Sequence, residues 1–212
     1  MPSEARQAVA ALDSIVSLQR LLEIPAQSWK NQGGSTRELH VEPPDSDFNS
    51  FIWRASVADV DADVPFSTFD GVARTIVLLA GDGFEIQVDG AKVHELSKAF
   101  QPFSFAGEAA LNVRLYGGGT LDFNLMVRRS DADGEVVVLN EQNSRRLPAA
   151  TVLLYMASGA GRLTTPQGAQ QSLRAGDVVR FHEGVILPEL ICASGAAALA
   201  VRIHRKRRAE PA

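Results

Sequence analysis

The sequence predicts an all-β protein of many short strands, gathered into two small antiparallel β-barrels in tandem with little helix. Three observations carry this. The stretch Leu121-Asp122-Phe123-Asn124-Leu125-Met126-Val127-Arg128-Arg129 alternates with the period of a strand. Leu121, Phe123, Leu125 and Val127 therefore share one face, and Asp122, Asn124, Met126 and Arg128 the other. Asp-Gly pairs at 82–83, 89–90 and 133–134 punctuate apolar runs in the way tight turns between strands require. Finally, Thr151-Val152-Leu153-Leu154-Tyr155-Met156 resembles Thr75-Ile76-Val77-Leu78-Leu79. The repeat of roughly 75 residues is too long for a solenoid unit and suits two barrels.

The bounds are those of an ordinary globular chain. It has 212 residues, 45% hydrophobic and 22% charged, enough for one large β domain or two small ones. A net charge of -4 gives no general attraction to nucleic acid or to anionic membranes. The single cysteine, Cys192, excludes an intrachain disulfide framework and suits a reducing compartment. Its apolar neighbourhood, Leu187 to Cys192, points to a buried structural thiol. No apolar run approaches the roughly 20 residues a membrane-spanning helix needs, and the N-terminus lacks the pattern of a secretory signal, so the expected location is the cytoplasm.

In chain order, residues 2–23 carry Ala5, Ala8, Val9, Leu12, Ile15 and Val16 at roughly helical spacing, with a strand over Val16 to Leu22 as the competing reading. Pro25 ends either one. Trp29 to Glu38, with its Gly33-Gly34 pair, is a loop that serves as a simple turn or, less simply, as an anion cradle. Phe51 to Val57 mixes large apolar groups with Arg54 and Ser56 at every second position. Further strands are expected over 75–79, 84–88, 92–96, 102–105, 111–116, 121–129, 135–139, 151–156, around 172–181 and over 196–203. The division that follows is an N-terminal extension over 1–16, a first barrel over 17–145, a second, smaller barrel over 146–204 and a basic tail over 205–212. That tail, on an acidic protein, is read as solvated terminal charge in preference to a nucleic-acid contact.

Leu173-Arg174-Ala175-Gly176-Asp177-Val178-Val179 resembles the turn that cupin barrels of the RmlC-like jelly-roll type place between strands. More specifically, the chain resembles the HutD/Ves family. The likeness is carried by Trp29-Lys30-Asn31 with Gly33-Gly34, Thr36 and Glu38; Trp53-Arg54 with Ser56; and Pro65-Phe66-Ser67 with Phe69 and Gly71. Arg74, Pro102-Phe103 with Phe105, Gly107 and Glu108, and Asp122 to Met126 with Arg128-Arg129 complete it. Gln32 stands where the family usually has the first of three glycines. The resemblance implies a metal-free bicupin. It further implies a protein encoded with the histidine-degradation enzymes, thought to limit flux by binding an intermediate such as urocanate or a formylated glutamate, and able to pair as a homodimer. A Ves-like member tied to stress is equally compatible with these motifs.

The residues themselves favour binding over chemistry. His40, His94, His182 and His204 are isolated, without the His-x-His and Glu set that a cupin metal needs, so no metal or other cofactor is expected. No serine stands in a Gly-x-Ser-x-Gly elbow. Catalysis is left open only through Asp122 or Glu108, since a carboxylate in a dry lumen can be raised toward neutrality and serve as a general acid or base. If both polar strand rows look into a lumen, an inward Arg54, Arg74 or Arg128 must be paired, with Asp122 the obvious internal partner for one and a second left to clamp a ligand carboxylate. Asp122 and Arg128 stand roughly 20 Å apart along their strand, too far to touch one small molecule. The expected pocket is therefore Arg54, Ser67, Asn124 and Met126, walled by Trp53 and Phe69. A plain core role competes for Trp53 and Phe69, and a surface ion pair for Arg74 and Arg129.

Overall fold

The computed structural model describes residues 14–88 and 91–206, which form eighteen strands and one turn of 3-10 helix, Leu21–Glu23. The strands make four open sheets and fall into two units, one from residues 14–23 and 136–203, the other from 24–135 and 204–206. Among the described residues no helix is long and apolar enough to cross a membrane.

The first unit sandwiches two sheets. One is β1 (Ile15–Arg20), β16 (Asp177–Phe181), β13 (Thr151–Ser158), β18 (Ala197–Arg205) and β12 (Ala132–Leu139), in that order. The other is β15 (Gln170–Arg174), β14 (Ala160–Thr164) and β17 (Glu189–Cys192). Leu154, Met156, Val179, Ala198 and Ala200 of the larger sheet meet Leu163, Leu173, Leu190 and Cys192 of the smaller in one buried cluster. The Cys192 thiol lies within it, and burial pushes its pKa up, which suits an inert structural thiol.

Two expectations need correction here. The strand reading prevails over the helix at 15–20, because β1 pairs antiparallel with β16 and so sits with the C-terminal strands, outside the contiguous division drawn from sequence. The helical spacing at residues 2–13 lies outside the described residues. The turn expected at Asp133-Gly134 falls instead at 129–131, where the Asp131 N–H closes on the Arg128 carbonyl at 3.0 Å, and both residues enter β12.

The second unit holds the site. Its larger sheet runs β2 (Ala26–Ser28), β3 (Gly34–Glu42), β4 (Trp53–Val60), β11 (Thr120–Arg128), β6 (Val72–Ala80), β9 (Pro102–Ala106). The smaller runs β5 (Val64–Pro65), β10 (Asn112–Leu115), β7 (Phe84–Val88), β8 (Ala91–Leu96). The loop over 29–33 is a turn between β2 and β3, and Gly34 enters the sheet so close to β4 that a Cβ there would stand 2.1 Å from the Asp59 carbonyl oxygen. Only glycine fits such an approach.

Paired residues of neighbouring strands share a face, so the register fixes which side chains meet. Asn124 of β11 stands between Ser56 and Ile76, with Glu38 beyond Ser56 and Phe103 beyond Ile76. One row along, Met126 stands between Arg54 and Arg74, with Val41 and Phe105 outermost. One row the other way, Asp122 stands between Ala58 and Leu78. Ile76 and Leu78 cluster with Phe84, Ile86, Leu96, Leu111 and Val113, which turns this face toward the four-stranded sheet. On the other face of β11, Phe123, Leu125 and Val127 are no more than 2% exposed.

Candidate functional site

Most of the inner face is sealed. Asp122 and Met126 are each 1% exposed, Ser56 1% and Ile76 3%, yet Asn124 in their midst is half-buried. Solvent therefore reaches this face over the Asn124 amide. Around it stand the half-buried rings of Phe66, Phe69, Phe103 and Phe105 and the exposed ring of Phe48.

Two arginines flank this opening. Arg54 donates from Nε to a Glu38 carboxylate oxygen at 2.6 Å, and its guanidinium carbon lies 5.1 Å from the Phe48 ring centroid. Arg74 has no carboxylate at all among the described residues. It donates to the Ser67 carbonyl at 3.2 Å and to Asn124 Oδ1 at 3.3 Å, and its Nε is buried with no acceptor. Three rings surround it, Phe105 at 5.0 Å, Phe66 at 5.2 Å and Phe69 at 5.6 Å. Each such ring contributes about 1 kcal/mol, far less than water gives a guanidinium. Burial first, and the charge of Arg54 second, push the Arg74 pKa down to about 10. A buried cation without a counter-charge, set beside a second cation and an open amide, is the electrostatic form of an anion site.

The residues singled out from sequence are divided by the structure. Arg54, Arg74 and Asn124 converge on the opening, Phe69 walls it, and Ser67 contributes its backbone carbonyl while its side chain is exposed. Met126 lies beneath, in a cluster with Val41, Phe51, Val72 and Phe69. Trp53 is not a wall: adjacent strand residues point oppositely, so with Arg54 inward it turns to the other face, where its ring lies 4.6 Å from that of His40. Arg128 is committed to the carbonyls of Phe48, Asn49 and Phe51 at 3.3, 2.9 and 3.1 Å, and so holds the loop that carries Phe48.

The two candidate carboxylates differ sharply. Glu108 is exposed, bonded to Arg129 and to the Gly71 N–H, and the Arg129 hydrogen bond holds its pKa down to about 2. So low a value makes it a poor general acid or base near neutrality. Asp122 is not the partner of an arginine. Its Oδ2 accepts from the Thr120 hydroxyl at 2.8 Å, its Oδ1 is buried with no partner, and burial raises its pKa to about 7. Glu38 takes the role expected of Asp122, and Phe48, Phe66 and Phe105 take that expected of Trp53. Among the described residues no group of three or more His, Cys, Asp or Glu side chains could hold a metal ion.

Glu38→Gln removes the carboxylate that pairs with the Arg54 guanidinium. We expect a loss of about 2 kcal/mol in urea unfolding, below the roughly 3–5 kcal/mol of a fully buried pair because the Glu38 side chain is 36% exposed. A second change, Arg54→Met, should restore most of it.

Fold and site together define a two-unit all-β protein with a buried arginine, unpaired by any carboxylate among the described residues, on an inner sheet face. The HutD family model matches residues 22–199, and the chain belongs to that family. It is 34% identical over 167 residues to an uncharacterised 21.2 kDa protein in the hutC 3' region of Pseudomonas putida, covering 76% of this chain and 87% of that one. Protein Ves of Cronobacter sakazakii is 37% identical over 153 residues, 69% of this chain and 82% of the relative. Among solved structures, HutD from Pseudomonas fluorescens SBW25 superposes with a TM-score of 0.73 at 25% identity, over 90% of this chain and 99% of that one. A cupin 2 conserved barrel protein from Leptotrichia buccalis, at 10% identity and a TM-score of 0.52 over 90% and 97%, shares the fold alone.

Proposed function

We propose that the protein is a non-catalytic receptor for a small carboxylate metabolite, and that it regulates histidine or related amino-acid catabolism in the cytoplasm. In this proposal it is a bicupin, each two-sheet unit being one cupin half and the larger unit carrying the ligand. The observation that carries the proposal is Arg74, a guanidinium 7% exposed, without a carboxylate, whose Nε has no acceptor. A ligand carboxylate at the opening would meet Arg74 and the free amide N–H groups of Asn124, and would sit against the Phe66, Phe69 and Phe105 rings. Kinship with a hutC-region protein and with HutD supports the pathway. Calorimetry against urocanate and N-formylglutamate tests the function: saturable heat from at least one of the two acids with wild type, and none with Arg74→Gln, is expected. Folded protein that gives no heat with either acid would contradict it. The competing reading, a metal-independent enzyme acting on a small acid, is favoured by Asp122 alone, and turnover that vanishes in Asp122→Asn would establish it.

A further inference from the structure

The inner face carries an uneven set of charges. Arg54 and Glu38 cancel at 2.6 Å, Arg74 is left over, and Asp122 lies one row from Asn124, about 7 Å along the strand. Both arginines are engaged elsewhere, and the single hydrogen bond to Asp122 comes from a neutral hydroxyl. Nothing donates to its Oδ1, an acceptor that, if charged, would need two or three donors in so dry a place. With Asp122 protonated, the face carries one net positive charge. With Asp122 ionised, the face is neutral.

Resting on the carboxylate-binding function proposed above, we infer that the site selects acids bearing a single negative charge and binds them with a proton held on Asp122, so that a dianion of the same shape is rejected. One anion cancels the surplus of Arg74. A second would be buried without a counter-charge, and like charges in a low dielectric repel strongly. The anion also favours the neutral form of Asp122, so binding above neutral pH draws a proton from solvent.

The other charged groups on strands packed against Asp122 do not supply a substitute. Asp59 of β4 raises the pKa of Asp122 further and is itself held by Arg37 of β3 at 2.9 Å. On the facing sheet Phe84, Ile86 and Val113 are the buried residues, while Glu85 pairs with Arg114, and Lys92 with Glu95, away from the core. His94 of β8 lies against Phe103 at 3.8 Å between ring centroids, and Asp61, Asp63 and Asp82 are exposed in the connecting loops.

The test uses glutaramate, a monoanion, against glutarate, its dianionic counterpart, in calorimetry on the whole protein between pH 6 and 9. Glutaramate should bind at least about 10-fold more tightly than glutarate, and its affinity should fall by up to about 10-fold per pH unit above pH 7. At pH 8, buffers of different ionisation enthalpy should reveal net proton uptake. Asp122→Asn should keep the preference for the monoanion while losing both the pH dependence and the uptake. Wild type alone decides the matter if that variant fails to fold. Equal or tighter glutarate binding, or binding without proton uptake at pH 8, overturns the inference and leaves the receptor function standing. No binding of either acid at any pH overturns both.

Discussion

Replacing Arg74 with methionine should make the ligand-free protein more stable and the receptor useless. The native guanidinium is buried among Phe66, Phe69 and Phe105 with two carbonyl-type acceptors and no carboxylate. An apolar side chain of similar length removes the desolvation cost, and such replacements of buried charge stabilise proteins by about 1–4 kcal/mol. The loss of three cation–π contacts, at about 1 kcal/mol each, offsets part of this. A net gain of about 1 kcal/mol, seen as a rise of about 2–4 °C in thermal unfolding, is the expected result. Affinity for the acid should fall by about 30-fold or more, since losing one partner of a buried charge pair costs at least about 2 kcal/mol. Arg74→Lys keeps the charge but not the planar fork, and should lie between wild type and methionine in affinity. A structural arginine would behave in the opposite way, with stability lost.

Stability should also fall as pH rises from 5 to 8, and Asp122→Asn should abolish that fall. The Asp122 carboxyl has a native pKa of about 7 against an ordinary value of 3.8, with burial as the cause. A raised native pKa means that the folded state holds a proton which the unfolded state has released. The stabilisation is therefore full below pH 4, declines as pH climbs and is gone above about pH 7. At about 1.4 kcal/mol per pH unit, the whole effect is about 4 kcal/mol, and about 3 kcal/mol of it lies between pH 5 and 8. Glu95 and Glu108, held down to about 2 by Lys92 and Arg129, titrate well below this window. Urea midpoints at pH 5, 6.5 and 8 measure the slope. A wild-type curve as flat as that of Asp122→Asn would mean that Asp122 is ionised in the fold.

Period-two patterning made the strands legible, because alternation is a property of neighbours in the chain. β11 and its two faces follow from Leu121 to Arg128, whereas the hairpin suggested by Asp82-Gly83 is instead a link between β6 and β7, which lie in different sheets. Partnership between strands is a different kind of information. That Arg54 meets Glu38 depends on the β3–β4 register, which shifts between Glu38 and His40, and no local pattern reports such a bulge. The same register left Asp122 between Ala58 and Leu78, out of reach of the arginine expected to pair with it. Trp53 was misplaced for a simpler reason. Arg54 and Trp53 are consecutive, and one strand cannot turn both inward. Phe48, Phe66 and Phe105 come from two loops and an edge strand and meet around the arginines only in three dimensions.

The most direct test of the anion site is a crystal structure grown with glutaramate. A carboxylate oxygen should lie within about 3 Å of Arg74 Nε, the atom that now lacks an acceptor, with the Asn124 amide donating to the same group. Ligand bound elsewhere, with that nitrogen still facing only phenylalanine rings, would contradict it.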